Sequence, residues 1–324
     1  MLLRGANTLK KLFVLFVALI LCTATIVGCS TPSTKTSSPT SSQSTTSATG
    51  WISQNNPGFY QGSVLYTVWG TSSSDVFAVG TQGTIIHYNG KSWSKMISGT
   101  TEDLYGIWGS SSSDVYASGT TGIILHYNGK TWSPMVSNSP VIFSRIWGSS
   151  SSDIFAVATL GAIQHYDGKT WSGMTISVPV NWFYAVWGTS SSDVFAVGVG
   201  GTILHYNGNA WTNMSSGTKN TIAGIWGSSP SNVFAVGGGL FHYDGNTWSS
   251  ITSGTTAPLI GIWGDSSSDI FAVGGGGTII HYDGNSWSSL TSGTTTNFNS
   301  VWGSSSFDVF AVGDNGSIWH YSGN

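Results

Sequence analysis

The chain has 324 residues, only 7% of them charged, against about 25% in an ordinary soluble domain. Beyond residue 50 its basic residues are Lys91, Lys95, Lys130, Arg145, Lys169 and Lys219, set against 13 acids; this excludes the basic patch that nucleic-acid binding requires. Both cysteines, Cys22 and Cys29, lie in the first 29 residues, so the body of the chain has no disulfide and relies on burying its many aromatics.

Arg4, Lys10 and Lys11 precede a mostly apolar run over 12–27. That run is short of the about 20 residues needed to cross a hydrocarbon core, and the pattern is that of a secretory leader. It ends in Ile26-Val27-Gly28-Cys29, which resembles the lipobox of bacterial lipoprotein signal peptides. The resemblance implies a signal peptide over 1–28, a lipid on Cys29 and a membrane partner reached through that anchor. With Ser30 rather than Asp next, it implies the outer membrane in a Gram-negative cell, and otherwise the cell envelope outside the cytoplasm. An ordinary leader or uncleaved anchor with a chance cysteine is the alternative. Residues 29–50 then form a tether: Ser and Thr make up 15 of the 21 residues from 30 to 50, too few apolar groups to offset the entropy of folding.

The remainder, 51–324, is one repeat copied seven times, and repeats outrank other signals. A Trp-Gly pair recurs at Trp69, Trp108, Trp147, Trp187, Trp226, Trp263 and Trp302. Six residues later stand Asp75, Asp114, Asp153, Asp193, Asn232, Asp269 and Asp308. Then come His-Tyr pairs at His87, His126, His165, His205, His242, His281 and His320, and a second Trp follows each of the first six. In the first repeat, β-branched and aromatic residues predict strands over 65–69, 75–79, 84–88 and 92–97, separated by Ser- and Gly-rich turns. Asn89-Gly90 and its equivalents read as tight hairpin turns with positive φ at both central residues. Four short strands per repeat predict an all-β fold, a seven-bladed β-propeller with four-stranded blades. The last repeat lacks its fourth strand, and Gly50-Trp51-Ile52-Ser53 supplies one. The N-terminal strand should therefore complete the last blade and close the ring, with a small insertion between 55 and 63. An open solenoid is the rival.

Seven histidines and six aspartates look like metal or catalytic material. One His per blade, on the third strand from the axis, does not converge at metal-ligand distances of about 2 Å, and the Ser-rich turns lack the alternating acids of calcium loops. No metal and no cofactor is expected. These residues read instead as a hydrogen-bonded cluster of Asp, His, Ser and Trp in each blade, which resembles that of WD repeats.

Val-Gly-x-x-Gly-Thr-Ile in several blades, with His-Tyr-Asp-Gly-Lys-Thr-Trp at 165–171, is similar to the Asp-box (BNR-like) propellers and to the lumenal propellers of photosystem II assembly factors. Here Asp and Gly touch, where the Asp-box has a residue between them. The family's sialidases hold a carboxylate with an arginine cluster; this propeller has only Arg145. With Glu102 as its one glutamate, a glycosidase using two glutamates is poorly supported.

Function should lie where the repeat breaks. The connections after the second and third blades carry Phe143, Val180, Asn181, Trp182 and Phe183; Arg145 replaces a small residue before Trp147, and Leu160 replaces a polar or Gly turn residue. Aromatic and Arg side chains are the usual anchors of interfaces. These seven form the candidate face for an envelope protein or a glycan, and the chain reads as a non-catalytic binding or scaffold module. An assembly factor for a membrane complex, or a polysaccharide-active enzyme, are the alternatives.

Overall fold

The computed structural model describes residues 50–57 and 62–323. The leader, Cys29 and the tether up to residue 49, and 58–61 within the expected insertion, lie outside these residues. The described residues form seven four-stranded antiparallel sheets. Blade 1 comprises Leu65–Ser72, Asp75–Gly80, Ile85–Tyr88 and Trp93–Met96, in that spatial order. Blades 2 to 6 repeat this over 104–135, 143–173, 183–214, 222–251 and 259–290. Blade 7 takes its inner three strands from Phe298–Ser305, Asp308–Gly313 and Ile318–Ser322, and its outermost from Gly50–Ser53. That closing strand pairs Gly50 with Ser322, Trp51 with Tyr321, Ile52 with His320 and Ser53 with Trp319. The inner strand of each blade packs on that of the next, and blade 7 on blade 1, so the ring is closed.

The second strand of each blade shows why so little charge is carried. In Asp75–Gly80 every residue after Asp75 is buried, because both sheet faces are covered by neighbouring blades. Each interface buries one apolar cluster; Phe310, Val312 and Ile318 of blade 7 meet Leu65, Val76, Ile86 and Trp93 of blade 1.

The Trp-Gly pair is a socket between blades. A methyl group on Gly109 would stand 2.7 Å from Cη2 of Trp69, and the same relation links Trp108 to Gly148, Trp147 to Gly188 and so on around the ring. Only glycine leaves space for the neighbouring indole.

One turn differs from expectation. In the Asn89-Gly90 turn only Gly90 has positive φ, at 85°. Asn89 acts through its side chain: Oδ1 accepts from the backbone N–H of Lys91 and Ser92, each at 3.0 Å, an Asx arrangement rather than a two-residue hairpin turn.

The strand directions define two faces. One carries the Ser-rich turns and the Asn/Asp-Gly turns, hereafter the turn face. The other carries the Gly turns after the second strands and the connections between blades.

Candidate functional site

The repeated polar residues form one arrangement per blade. His87 Nε2 lies 2.7 Å from Asp75 Oδ1, and Thr71 donates its hydroxyl to Asp75 Oδ2. The pairs His126–Asp114, His165–Asp153, His205–Asp193, His281–Asp269 and His320–Asp308 follow at 2.6–2.8 Å. In blade 5, Asn232 Oδ1 lies 2.6 Å from His242 Nε2 while its Nδ2 donates to Ser228 at 2.7 Å. Each imidazole sits on the aromatic ring two residues after the acid, as His87 does on Phe77 at 4.4 Å. Burial lowers the pKa of His242, which lacks a carboxylate partner. Burial alone would raise Asp308, but hydrogen bonds from His320 and Ser304 hold it below the usual carboxylate value. No group of three or more His, Cys, Asp or Glu suited to a metal ion occurs among the described residues.

The expected place of Trp in this cluster is corrected. The second Trp of a blade pairs across strands with the Tyr of His-Tyr, as Trp93 does with Tyr88 at 5.3 Å. The indole Nε1 atoms of Trp93, Trp132, Trp171, Trp248 and Trp287 are buried with no hydrogen-bond partner among the described residues. These rings are packing elements, and the polar cluster is acid (Asn in blade 5) and imidazole, with a hydroxyl in every blade but the sixth, where Asp265 takes its position.

The seven candidate residues separate into three groups. Phe143 and Phe183 are fully enclosed between blades, and Val180 is buried in the cluster between blades 3 and 4. No partner can touch the two phenylalanines, because a position four residues before Trp-Gly always points into the blade interface. Leu160 and Asn181 are exposed at the rim. The Leu160 N–H donates to the Asn181 carbonyl at 2.8 Å, and Leu160 sits at φ 59°, a conformation uncommon for non-glycine residues. At the axial ends of the inner strands Trp182 is buried, which corrects its expected place on an open face, and Arg145 is half-buried.

There the structure adds residues that sequence reasoning missed. Tyr66, Tyr105, Ile142, Trp182 and Tyr184 form one apolar cluster with members from blades 1, 2, 3 and 4. Four blades can share a cluster only at the axis. The corresponding positions of blades 5 to 7 are Ala223, Ile260 and Asn299, so the aromatic filling occupies one side. Trp182 stacks on Tyr184 at 5.6 Å and 5°, and its Nε1 donates to Ser144 Oγ at 2.9 Å. Burial raises the pKa of the Tyr66, Tyr105 and Tyr184 hydroxyls well above the ordinary value, so all three are neutral at physiological pH. Aligning the residues three before each Trp-Gly as a column, Tyr, Tyr, Ser, Tyr, Ala, Ile, Asn, would have exposed this asymmetry.

Arg145 reaches back from blade 3 across this cluster. Its Nη1 donates to the carbonyls of Tyr105 at 2.9 Å and Ser144 at 3.0 Å, and Nη2 to that of Tyr66 at 3.4 Å. Among the described residues it pairs with no carboxylate. Withdrawal from water pulls its pKa down to about 10, still cationic at neutral pH. A guanidinium has five N–H donors; among the described residues three bonds leave donors over, beside neutral aromatic walls. The arrangement can accept an anionic or carbonyl-bearing group at the axial end of the connection face.

No protein-family model matches the chain, and no curated protein matches it in sequence. Solved structures resemble it closely in shape. The structure of YCF48 bound to a D1 peptide has a TM-score of 0.71 at 15% identity, covering 86% of this chain and 98% of that one. YCF48 from Cyanidioschyzon merolae gives 0.69 at 17%, covering 84% and 98%. The WD40 propeller domain of Doa1 gives 0.72 at 12%, covering 86% and 98%. At such identities the likeness is one of fold: the chain is an all-β propeller of seven blades.

Proposed function

We propose that this chain is a non-catalytic binding module, held at the cell envelope by a lipid on Cys29, which captures a segment of a protein partner at the axial end of the connection face. The observation that carries the reading is Arg145, a half-buried cation whose hydrogen-bond partners among the described residues are all backbone carbonyls and leave two of its five N–H donors over. A half-buried cation with no carboxylate partner among the described residues is favoured by an incoming anionic or carbonyl group. Arginine is a common anchor at interfaces; Trp182, Tyr184 and Tyr66 beside it are themselves buried and form the packing that holds its side chain in place. A propeller of the same shape has been solved with a peptide bound, which supports a protein segment over a glycan as the occupant.

Crosslinking in intact native cells, followed by recovery of the lipidated chain, tests this. A protein partner recovered with the native chain and lost with Arg145→Met and with Trp182→Phe supports the reading. Equal recovery with both variants refutes this location. No protein partner, with retention on a glycan array, overturns it in favour of carbohydrate recognition.

A further inference from the structure

The turn face looks uniform until its blades are compared position by position. The residue before the acid is Ser74, Ser113, Ser152, Ser192, Ser231 and Ser268 in blades 1 to 6, but Phe307 in blade 7. Phe307 is 59% exposed, although nothing in the turn calls for an aromatic. Its carbonyl accepts from the Gly323 N–H at 2.8 Å. Ser322, one residue earlier, pairs with Gly50, so Phe307 stands where the 49 preceding residues of the chain join the propeller. On the closing strand that starts there, Ile52 is also exposed, where the other outer strands have Ser or Thr.

Charge on the same face is divided. The residue after the Asn/Asp-Gly pair is Lys91, Lys130 and Lys169 in blades 1, 2 and 3, but Asn209, Asn246 and Asn285 in blades 4, 5 and 6. All three lysines are exposed. The acids that distinguish one blade from another on this face are Asp167, beside Lys169, and Asp244, Asp265 and Asp283 of blades 5 and 6. The half-buried acids of the polar clusters stand one per blade in every blade but the fifth, where Asn232 takes the place. The arc of blades 7, 1, 2 and 3 therefore presents one exposed aromatic followed by three lysines, on a domain whose acids outnumber its bases.

We propose that the turn face of blades 7, 1, 2 and 3 docks on an anionic lipid surface, with Phe307 in the interfacial layer and Lys91, Lys130 and Lys169 over the headgroups. The proposal rests on the lipid-anchor reading for its setting, since the chain leading to Cys29 leaves the propeller beside Phe307. An exposed apolar ring gains by burial at the headgroup–acyl boundary, where Phe is common on the apolar side of interfacial segments, and anionic headgroups attract nearby lysines by about fivefold each in binding. Docking in this pose turns the connection face, with Arg145 and Trp182, away from the bilayer.

The test uses the full lipidated chain, purified from a bacterial membrane and mixed with vesicles of phosphatidylcholine alone or of phosphatidylcholine with phosphatidylglycerol. Flotation and amide hydrogen exchange are read together. The expected result is flotation with both vesicles, and slowed exchange around residues 90, 129, 168 and 307 with the anionic vesicles only. That protection should disappear in 0.5 M salt and in the Lys91→Gln/Lys130→Gln/Lys169→Gln variant, and weaken in Phe307→Ser. All four substituted positions are exposed, so folding is retained. Flotation with both vesicles but identical exchange on them overturns the docking and leaves the anchor standing. Flotation with anionic vesicles alone overturns the anchor and supports the docking; flotation with neither overturns both.

Discussion

Trp302 of the last blade reaches across the ring seam to Gly70 of the first: a methyl at Gly70 would stand 2.7 Å from its Cη2 and 2.6 Å from the carbonyl oxygen of Asp75. The ring thus closes twice, once through the paired closing strand at the perimeter and once through this indole near the axis. Gly70→Ala should lower stability by about 1–3 kcal/mol, the usual cost of overpacking a filled site. The denaturant midpoint reads it directly; an unchanged midpoint would show that the seam relaxes.

The natural exception in blade 5 sets up a second comparison. Asn232 reproduces both bonds of the repeated acid, one to His242 and one to Ser228. Asp153→Asn in blade 3 should therefore cost little, whereas Asp153→Ala strands His165 and Ser149 and should cost about 1–3 kcal/mol. Chemical denaturation of the two variants side by side distinguishes the bonds from the charge.

His242 also has a pH signature. Its folded pKa lies below the ordinary value of 6.5 because burial disfavours the cation. The folded state then binds fewer protons than the unfolded one, so this residue's contribution is fully present above about pH 6.5 and is lost as the pH falls from there through the lower folded pKa. Asn232→Asp supplies a counter-charge and should raise the pKa. Imidazole NMR titration of both proteins measures the shift, and an identical titration in the variant would show that a carboxylate at position 232 does not offset the burial.

Removing the closing side chain should have two effects. Trp51 packs on Tyr321 at 5.6 Å and edge-on to Phe271 at 6.4 Å. Trp51→Ala should cost about 2–4 kcal/mol. By loosening the Gly50–Ser53 strand it should also expose the edge of Ile318–Ser322 to other chains, and light scattering would detect the resulting self-association.

Arg145→Met should separate binding from folding. Replacing a half-buried cation that has no carboxylate partner among the described residues with an apolar chain of similar length should leave stability within about 1 kcal/mol. Partner affinity should fall by at least about tenfold, the loss of one charge-assisted hydrogen bond. A protein that unfolds instead would assign Arg145 to the architecture.

Architecture was legible because each structural requirement is repeated seven times: the strand pattern, the Trp-Gly socket and the complementary ends all recur or match in plain sight. The candidate site was only partly legible. Phe143 and Phe183 drew notice as aromatics in variable connections, yet their register buries them. Tyr66, Tyr105 and Tyr184 went unseen because each sits inside an ordinary strand, and only the ring brings them together at the axis. The polar cluster was read with the right acid and imidazole but with an indole that plays no part in it, since composition shows which groups recur and not which way their N–H bonds point.

Gly50, the first residue of the closing strand, is also where the preceding 49 residues join the body. Any tension applied through the residues before Gly50 is therefore delivered to the pairs Gly50–Ser322 to Ser53–Trp319 before it reaches another blade. The strand that seals the ring is its mechanical fuse: a pull that strips it leaves a blade of three strands with an open edge, while the other six blades keep all of theirs.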